Sequence, residues 1–175
     1  MKKTINTFVL AFLMIAALSA QAQAPYKHSI GVTTGTLEAI SYKTFFSDNL
    51  ALQADFGYKV IVSSGNHAQN VLVQSLELNP NLMYEKNITK GLYYLVGGGL
   101  SLGYSWTTYY DYWTGYYRFN YGKFGVNAIA GIEYKFNIPL TVQFDFRPGY
   151  GLLFAKHSTW SYFDWNLCAG VRYTF

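Results

Sequence analysis

Most of the 175-residue chain is patterned at a period of two. The clearest stretch is SYFDWNLCAGVRYTF at 161–175. Its odd positions carry Phe163, Trp165, Leu167, Ala169, Val171, Tyr173 and Phe175, and its even positions carry Tyr162, Asp164, Asn166, Cys168, Gly170, Arg172 and Thr174. Such alternation predicts a strand with one apolar and one polar face. A strand ending on an aromatic needs a partner for its edge, and closure onto the first strand of the sheet supplies one.

Seven further strands are predicted by the same pattern. Residues 28–34 alternate weakly, with Ile30 and Val32 on one face, and Gly35 turns the chain into a second strand at 37–46. Ser47-Asp48-Asn49 is a turn cluster. The third strand, 50–62, sets Leu52, Phe56, Tyr58 and Val60 against Gln53, Asp55, Gly57 and Lys59, and a loop is expected at 63–69. The fourth, 71–85, contains Pro80, which predicts a bulge or a locally unpaired position. A turn at 86–90 leads to a fifth strand, Leu92 to Trp106, followed by a tyrosine-rich segment at 107–121. The sixth strand covers 124–136, Asn137 and Pro139 mark a tight turn, and the seventh runs from 140 to 154. A short loop at 156–159 precedes the closing strand.

Composition agrees with dispersed apolar residues. Aromatics make up 19% and charged residues only 13%, yet beyond the N-terminus there is no run of about 20 apolar residues such as a spanning helix needs. Apolar content scattered by alternation is the composition of a β-barrel. The N-terminus reads as a signal peptide: Lys2 and Lys3, an apolar core at 8–18, and Ala20-Gln21-Ala22 for cleavage after Ala22. The alternative is a membrane anchor, against which the apolar stretch is short. The expected organisation is therefore a signal peptide at 1–22 and an exported barrel domain at 23–175. No cysteine follows the apolar core, so no lipoprotein signal is present. Without Lys2 and Lys3 the formal charge falls from +4 to +2, and no basic patch points to nucleic acid. Cys168 has no partner for a disulfide and reads as a buried thiol.

The faces decide between two barrels. A soluble barrel hides its apolar face and shows charge, whereas a membrane barrel does the reverse. Here the apolar face is nearly unbroken. The second face carries small and polar residues with Lys43, Asp55, Lys59, Glu77, Glu133, Lys135, Asp145, Arg147, Asp164 and Arg172 in nearly balanced signs. Balance is what groups sharing a narrow low-dielectric interior require. The expected fold is all-β, an eight-stranded antiparallel up-and-down transmembrane β-barrel with a filled polar core. Glu133, Asp145, Arg147, Asp164 and Arg172 are candidates for one structural charge network inside it. Connections at 47–49, 86–90 and 137–139 are short, while those at 63–69 and 107–121 are longer, as in outer-membrane barrels. Aromatic belts are expected at a periplasmic rim (Tyr84, Tyr94, Tyr134, Phe136, Tyr173, Phe175) and an outer rim (Tyr58, Tyr104, Trp106, Phe124, Phe154). The alternative is an exported soluble barrel that binds a small ligand in its lumen.

The signal peptide, the eight alternating segments and the ending VRYTF resemble the small outer-membrane β-barrels of the OmpA/OmpX type. The segment ISYKTFFSDNLALQADFGYK is similar to the strand–turn–strand pattern of such barrel domains from Bacteroidota. The resemblance implies a Gram-negative outer membrane, with its lipid and lipopolysaccharide as surroundings. It also implies that Val171, Tyr173 and Phe175 form a signal read by the barrel-assembly machinery, with a periplasmic chaperone as a further transient partner. A monomer is expected.

Catalytic chemistry finds little support. Lipid A-modifying barrels use His and Ser near the outer rim, but adjacent His157 and Ser158 point to opposite faces of a strand. No metal-ligand spacing, phosphate loop or cofactor motif occurs, so no cofactor is expected. The stretch WTTYYDYWTGYYRFNY at 106–121 offers two readings. Tyr109, Tyr110, Tyr112, Trp113, Tyr116 and Tyr117 suit an extracellular protein or glycan ligand. The other reading is an extended hairpin turning near 113–115, with interfacial and cross-strand tyrosines. The expected role is non-enzymatic, in envelope integrity or surface interaction.

Overall fold

The computed structural model describes residues 24–64, 70–111, 115–156 and 158–175. They form eight strands: β1 (His28–Gly35), β2 (Glu38–Phe45), β3 (Leu50–Ser64), β4 (Asn70–Thr89), β5 (Leu92–Asp111), β6 (Gly115–Lys135), β7 (Leu140–Ala155) and β8 (Ser158–Thr174). Each pairs antiparallel with the next, and the ring closes in the order β1 to β8. The seam runs from Ser29 opposite Thr174 to Gly35 opposite Cys168, and reciprocal backbone bonds between His28 and Phe175, both 2.9 Å, seal its end. This is an up-and-down barrel.

The wall is uneven in height. One end, here the terminal end, carries the start of β1, the finish of β8 and the turns after β2, β4 and β6. At the opposite, far end β1 stops beside Cys168, whereas β8 continues ten residues further to Ser158. At about 3.3 Å per residue that is roughly 33 Å of strand without a β1 partner. On the other flank β2 stops beside Tyr58 and β3 runs on to Ser64. The short β1–β2 hairpin is therefore a notch in the far-end wall.

Several boundaries differ from those read in the sequence. The expected turn at 86–90 is mostly strand: β4 runs to Thr89 with a register shift between Asn87 and Thr89, and only Lys90-Gly91 turns. Gly91 has φ 79°, a left-handed conformation that favours glycine. At 107–121 the extended-hairpin reading holds, paired as far as Asp111 opposite Gly115, because its Thr, Tyr and Phe residues are strand formers. The loop expected at 156–159 is shorter, since β8 already begins at Ser158. Pro80 is locally unpaired rather than bulged. It pairs with Ala54 on β3, while pairing with β5 skips from Leu78–Leu102 to Asn81–Gly99 without a change of register. Its missing N–H faces β5.

Alternation sorts the wall as a period of two requires. Ile40, Phe56, Val60, Leu78, Val126, Phe144, Phe146, Leu167 and Val171 all lie exposed on the exterior. Gln74 is a polar residue within this exterior, and it accepts bonds from Tyr58 Oη (2.7 Å) and Trp106 Nε1 (2.8 Å). Eight strands leave room for side chains only, and the interior is correspondingly tight. A Cβ on Gly97 or Gly99 of β5 would run into the carbonyl oxygens of Leu82 or Pro80 on β4. Rings meet in pairs near both rims, Tyr84–Tyr94, Tyr134–Phe136 and Tyr173–Phe175 at the terminal end and Tyr58–Trp106 towards the far end.

Candidate functional site: the charged lumen and its far-end cup

The lumen is filled in tiers. At the terminal end Phe45, Ala51, Met83, Leu95 and Ile129 make an apolar cluster inside the barrel, against which Ala24 and Tyr26 pack. This layer corrects the expectation of a wholly polar filling. Tyr26 precedes β1, meets the Phe45 ring edge-on at 5.1 Å, and donates its phenol to Glu133 Oε1 at 2.8 Å. Burial pushes the Tyr26 phenol far above its ordinary range, so it stays a donor. Lys43 lies just above, ion-paired to Glu85 and, at 2.9 Å, to Glu133, with the Phe45 ring 5.3 Å away.

In the middle tier Arg147 binds Asp145 and, through Nη1 at 2.5 Å, Asp55. Gln143 donates to Asp145 (2.6 Å) and Gln53 (3.2 Å), and accepts from Arg172 Nη1 (2.9 Å). Arg172 also reaches Ser41 at 3.0 Å and Glu133 at 3.6 Å. The two lower tiers are thus one network joined through Arg172 and Gln143. Cys168 is buried beside Leu37 and Ala39.

The far-end tier is separate. Lys59 reaches from β3 across the notch to Asp164 (2.6 Å) and Asn166 (2.7 Å) on β8. Lys123 binds Glu77 (2.6 Å) and the other oxygen of Asp164 (3.0 Å), with the Tyr162 ring 4.9 Å away. Ser75 donates to Glu77 at 2.7 Å. Among the described residues the lumen thus holds five cations, Lys43, Lys59, Lys123, Arg147 and Arg172, and six carboxylates, Asp55, Glu77, Glu85, Glu133, Asp145 and Asp164. Each cation touches at least one carboxylate, which offsets a desolvation cost of several kcal/mol per ion.

Above this tier the described residues leave the lumen unfilled. A cup of about 420 Å³ is lined by Val73, Ser75, Glu77, Ser105, Thr107, Tyr121, Lys123, Leu153, Trp160, Tyr162, Phe163 and Asp164. The ion pairs form its floor, and Tyr121 and Trp160 meet edge-on at 5.7 Å in its wall.

The residues singled out in the sequence distribute as follows. Glu133 and Arg172 meet, and Arg172 connects through Gln143 to Asp145 and Arg147, but Asp164 joins Lys59 and Lys123 instead. Lys135 does not enter the lumen, since it caps the turn carbonyls of Phe136 (2.9 Å) and Ile138 (2.7 Å). Lys123 was missed, although its odd position in β6 shares a face with Asn127 and Glu133. Val171, Tyr173 and Phe175 project outward, with Phe175 between Tyr173 (6.4 Å) and His28 (5.7 Å). In the tyrosine hairpin the backbone pairs Tyr109 with Tyr117 and Tyr110 with Tyr116. Tyr112 and Trp113, and the side chains of the other four, lie outside the described residues, as does His157.

No protein-family model matches the chain, and no curated protein matches it in sequence. Among solved structures it is similar to the N-terminal β-barrel domain of Pseudomonas aeruginosa OprF. The two share 19% identity and superpose with a TM-score of 0.50 over 89% of this chain and 100% of that one. At that identity the likeness concerns the fold.

Proposed function

We propose that this chain is an integral outer-membrane protein whose sealed lumen holds the wall together and whose far end faces outward. One observation carries the reading: large apolar side chains cover the exterior while Lys43, Arg147 and Arg172 are at most 2% exposed inside. A soluble protein rarely exposes a contiguous apolar patch beyond a few hundred Å², and a band of this kind matches a lipid-facing wall. The terminal end then faces the periplasm, and the protein contributes to envelope integrity or surface contact without chemistry of its own. His28, the one histidine among the described residues, sits at that end bonded to Tyr42 and Thr44, with no nucleophile and base arranged about it. On this reading outer-membrane lipid and lipopolysaccharide surround a monomer, and Val171, Tyr173 and Phe175 present the signal for the assembly machinery and its chaperone. The tyrosines from Tyr109 to Tyr117 are the surface offered to an extracellular protein or glycan.

The test is gel mobility of the detergent-extracted membrane fraction, unheated against boiled, in SDS. A shift on boiling is expected from an SDS-resistant barrel. Recovery of the protein in the soluble periplasmic fraction without detergent would favour the soluble, ligand-carrying barrel instead.

A further inference from the structure

We infer that the far-end cup is a binding site for an uncharged, largely apolar small molecule of two- to three-ring size. Its volume, about 420 Å³, falls in the range of small-molecule sites, roughly 300–1,000 Å³. It is near three times the ~150 Å³ that holds one benzene in an engineered core cavity. Its upper wall is Val73, Leu153, Tyr121, Trp160 and Tyr162. A filled lumen needs no such space, and the tiers below show that this sequence fills the barrel where filling is required.

The floor sets the ligand's charge. Lys59 and Lys123 are balanced by Glu77 and Asp164, and all four are paired with one another. A charged guest would have to break one of these pairs in a poorly solvated place, at a cost an uncharged guest avoids. Polar handles remain: the hydroxyls of Ser105 and Thr107 line the cup and bond to no other described residue. A guest with one hydroxyl among aromatic rings satisfies both wall and floor.

The notch supplies the approach. The β1–β2 hairpin stops beside Cys168 and Tyr58, so above it β8 has no β1 partner and β3 no β2 partner. The cup reaches Phe163, an outward residue of β8 that is 70% exposed. The cup thus borders a residue of the apolar exterior, where such molecules concentrate if that exterior lies in lipid.

The proposal is tested with 2-naphthol, neutral below its phenolic pKa, titrated into the full chain in lipid nanodiscs and followed by amide NMR. Only protein that shows the boiling shift is used, so failure as a membrane barrel and failure to bind are seen separately. Saturable shifts confined to Val73, Ser105, Thr107, Leu153 and Tyr162 are expected. Leu153→Trp and, independently, Thr107→Trp should fill the cup and weaken binding by about tenfold or more. Two substitutions on different strands keep the test standing if one variant does not fold. Shifts that spread along exterior residues without saturating, or equal binding by wild type and a folded filled variant, would overturn the proposal.

Discussion

The two ends of this barrel are built from the same alternation and reach opposite results. At the terminal end the inward row supplies Phe45, Met83, Leu95 and Ile129, and Tyr26 lays a further ring across them. Buried ion pairs sit directly above, screened from water on that side. At the far end the inward row supplies Ser75, Ser105, Thr107 and Lys123, below rings that line the wall and leave the space between them open. The difference lies in side-chain volume along one row of positions. The backbone continues unchanged while the lumen passes from sealed to open.

That contrast is broken most severely in the middle tier. Arg147→Met would strand the buried carboxylates of Asp55 and Asp145 and should cost about 3–5 kcal/mol. Lys123→Met, at the open end, strands one carboxylate, Glu77, which keeps the Ser75 hydroxyl and borders the cup, while Asp164 keeps Lys59, and should cost less, about 2–3 kcal/mol. Urea unfolding in lipid vesicles compares the two, and equal losses would dissolve the distinction between the ends. Next, Met83→Ala in the apolar seal should cost about 2–4 kcal/mol, against less than about 1 kcal/mol for Leu153→Ala, which already borders empty space. Tyr26→Phe should cost about 1.5 kcal/mol in the same assay by removing the phenol donor from Glu133. The smallest effect is expected furthest out: deleting 111–118 should leave the boiling shift intact, and surface binding that survives the deletion would remove the tyrosine hairpin as its cause.

Much of the fold was legible in the sequence because one inward-outward alternation recurs in every strand. The eight strands and their faces follow from it, as does the position of Pro80. Boundaries were less legible where strand formers occupy a polar or aromatic stretch. Lys86 and Asn87 look like a turn but pair with Tyr94 and Tyr93, and the segment at 107–121, open to a loop or a hairpin reading, pairs throughout its described part. The partners inside the lumen could not be read, because they depend on the relative heights of staggered strands. Glu133 meets Lys43 across 90 positions of sequence, and Asp164 stands too far towards the open end to reach Arg147's group. The cup was hidden for a related reason: Tyr121 lies at the end of the tyrosine-rich segment and Trp160 just ahead of the clearly alternating stretch 161–175, so their inward direction had no period to reveal it.

The central claim is that the apolar face of the wall lies against lipid. Its most direct measurement places one fluorophore there: Phe144→Trp, with Trp106, Trp113, Trp160 and Trp165 changed to Phe, in vesicles of lipid brominated on the acyl chains. Phe144 projects outward from β7, more than half exposed. The account predicts that the tryptophan at 144 loses most of its emission to the brominated chains and is shielded from aqueous iodide. Emission untouched by the lipid and quenched by iodide would contradict it, and would turn the barrel into a soluble one with its apolar face in need of another cover.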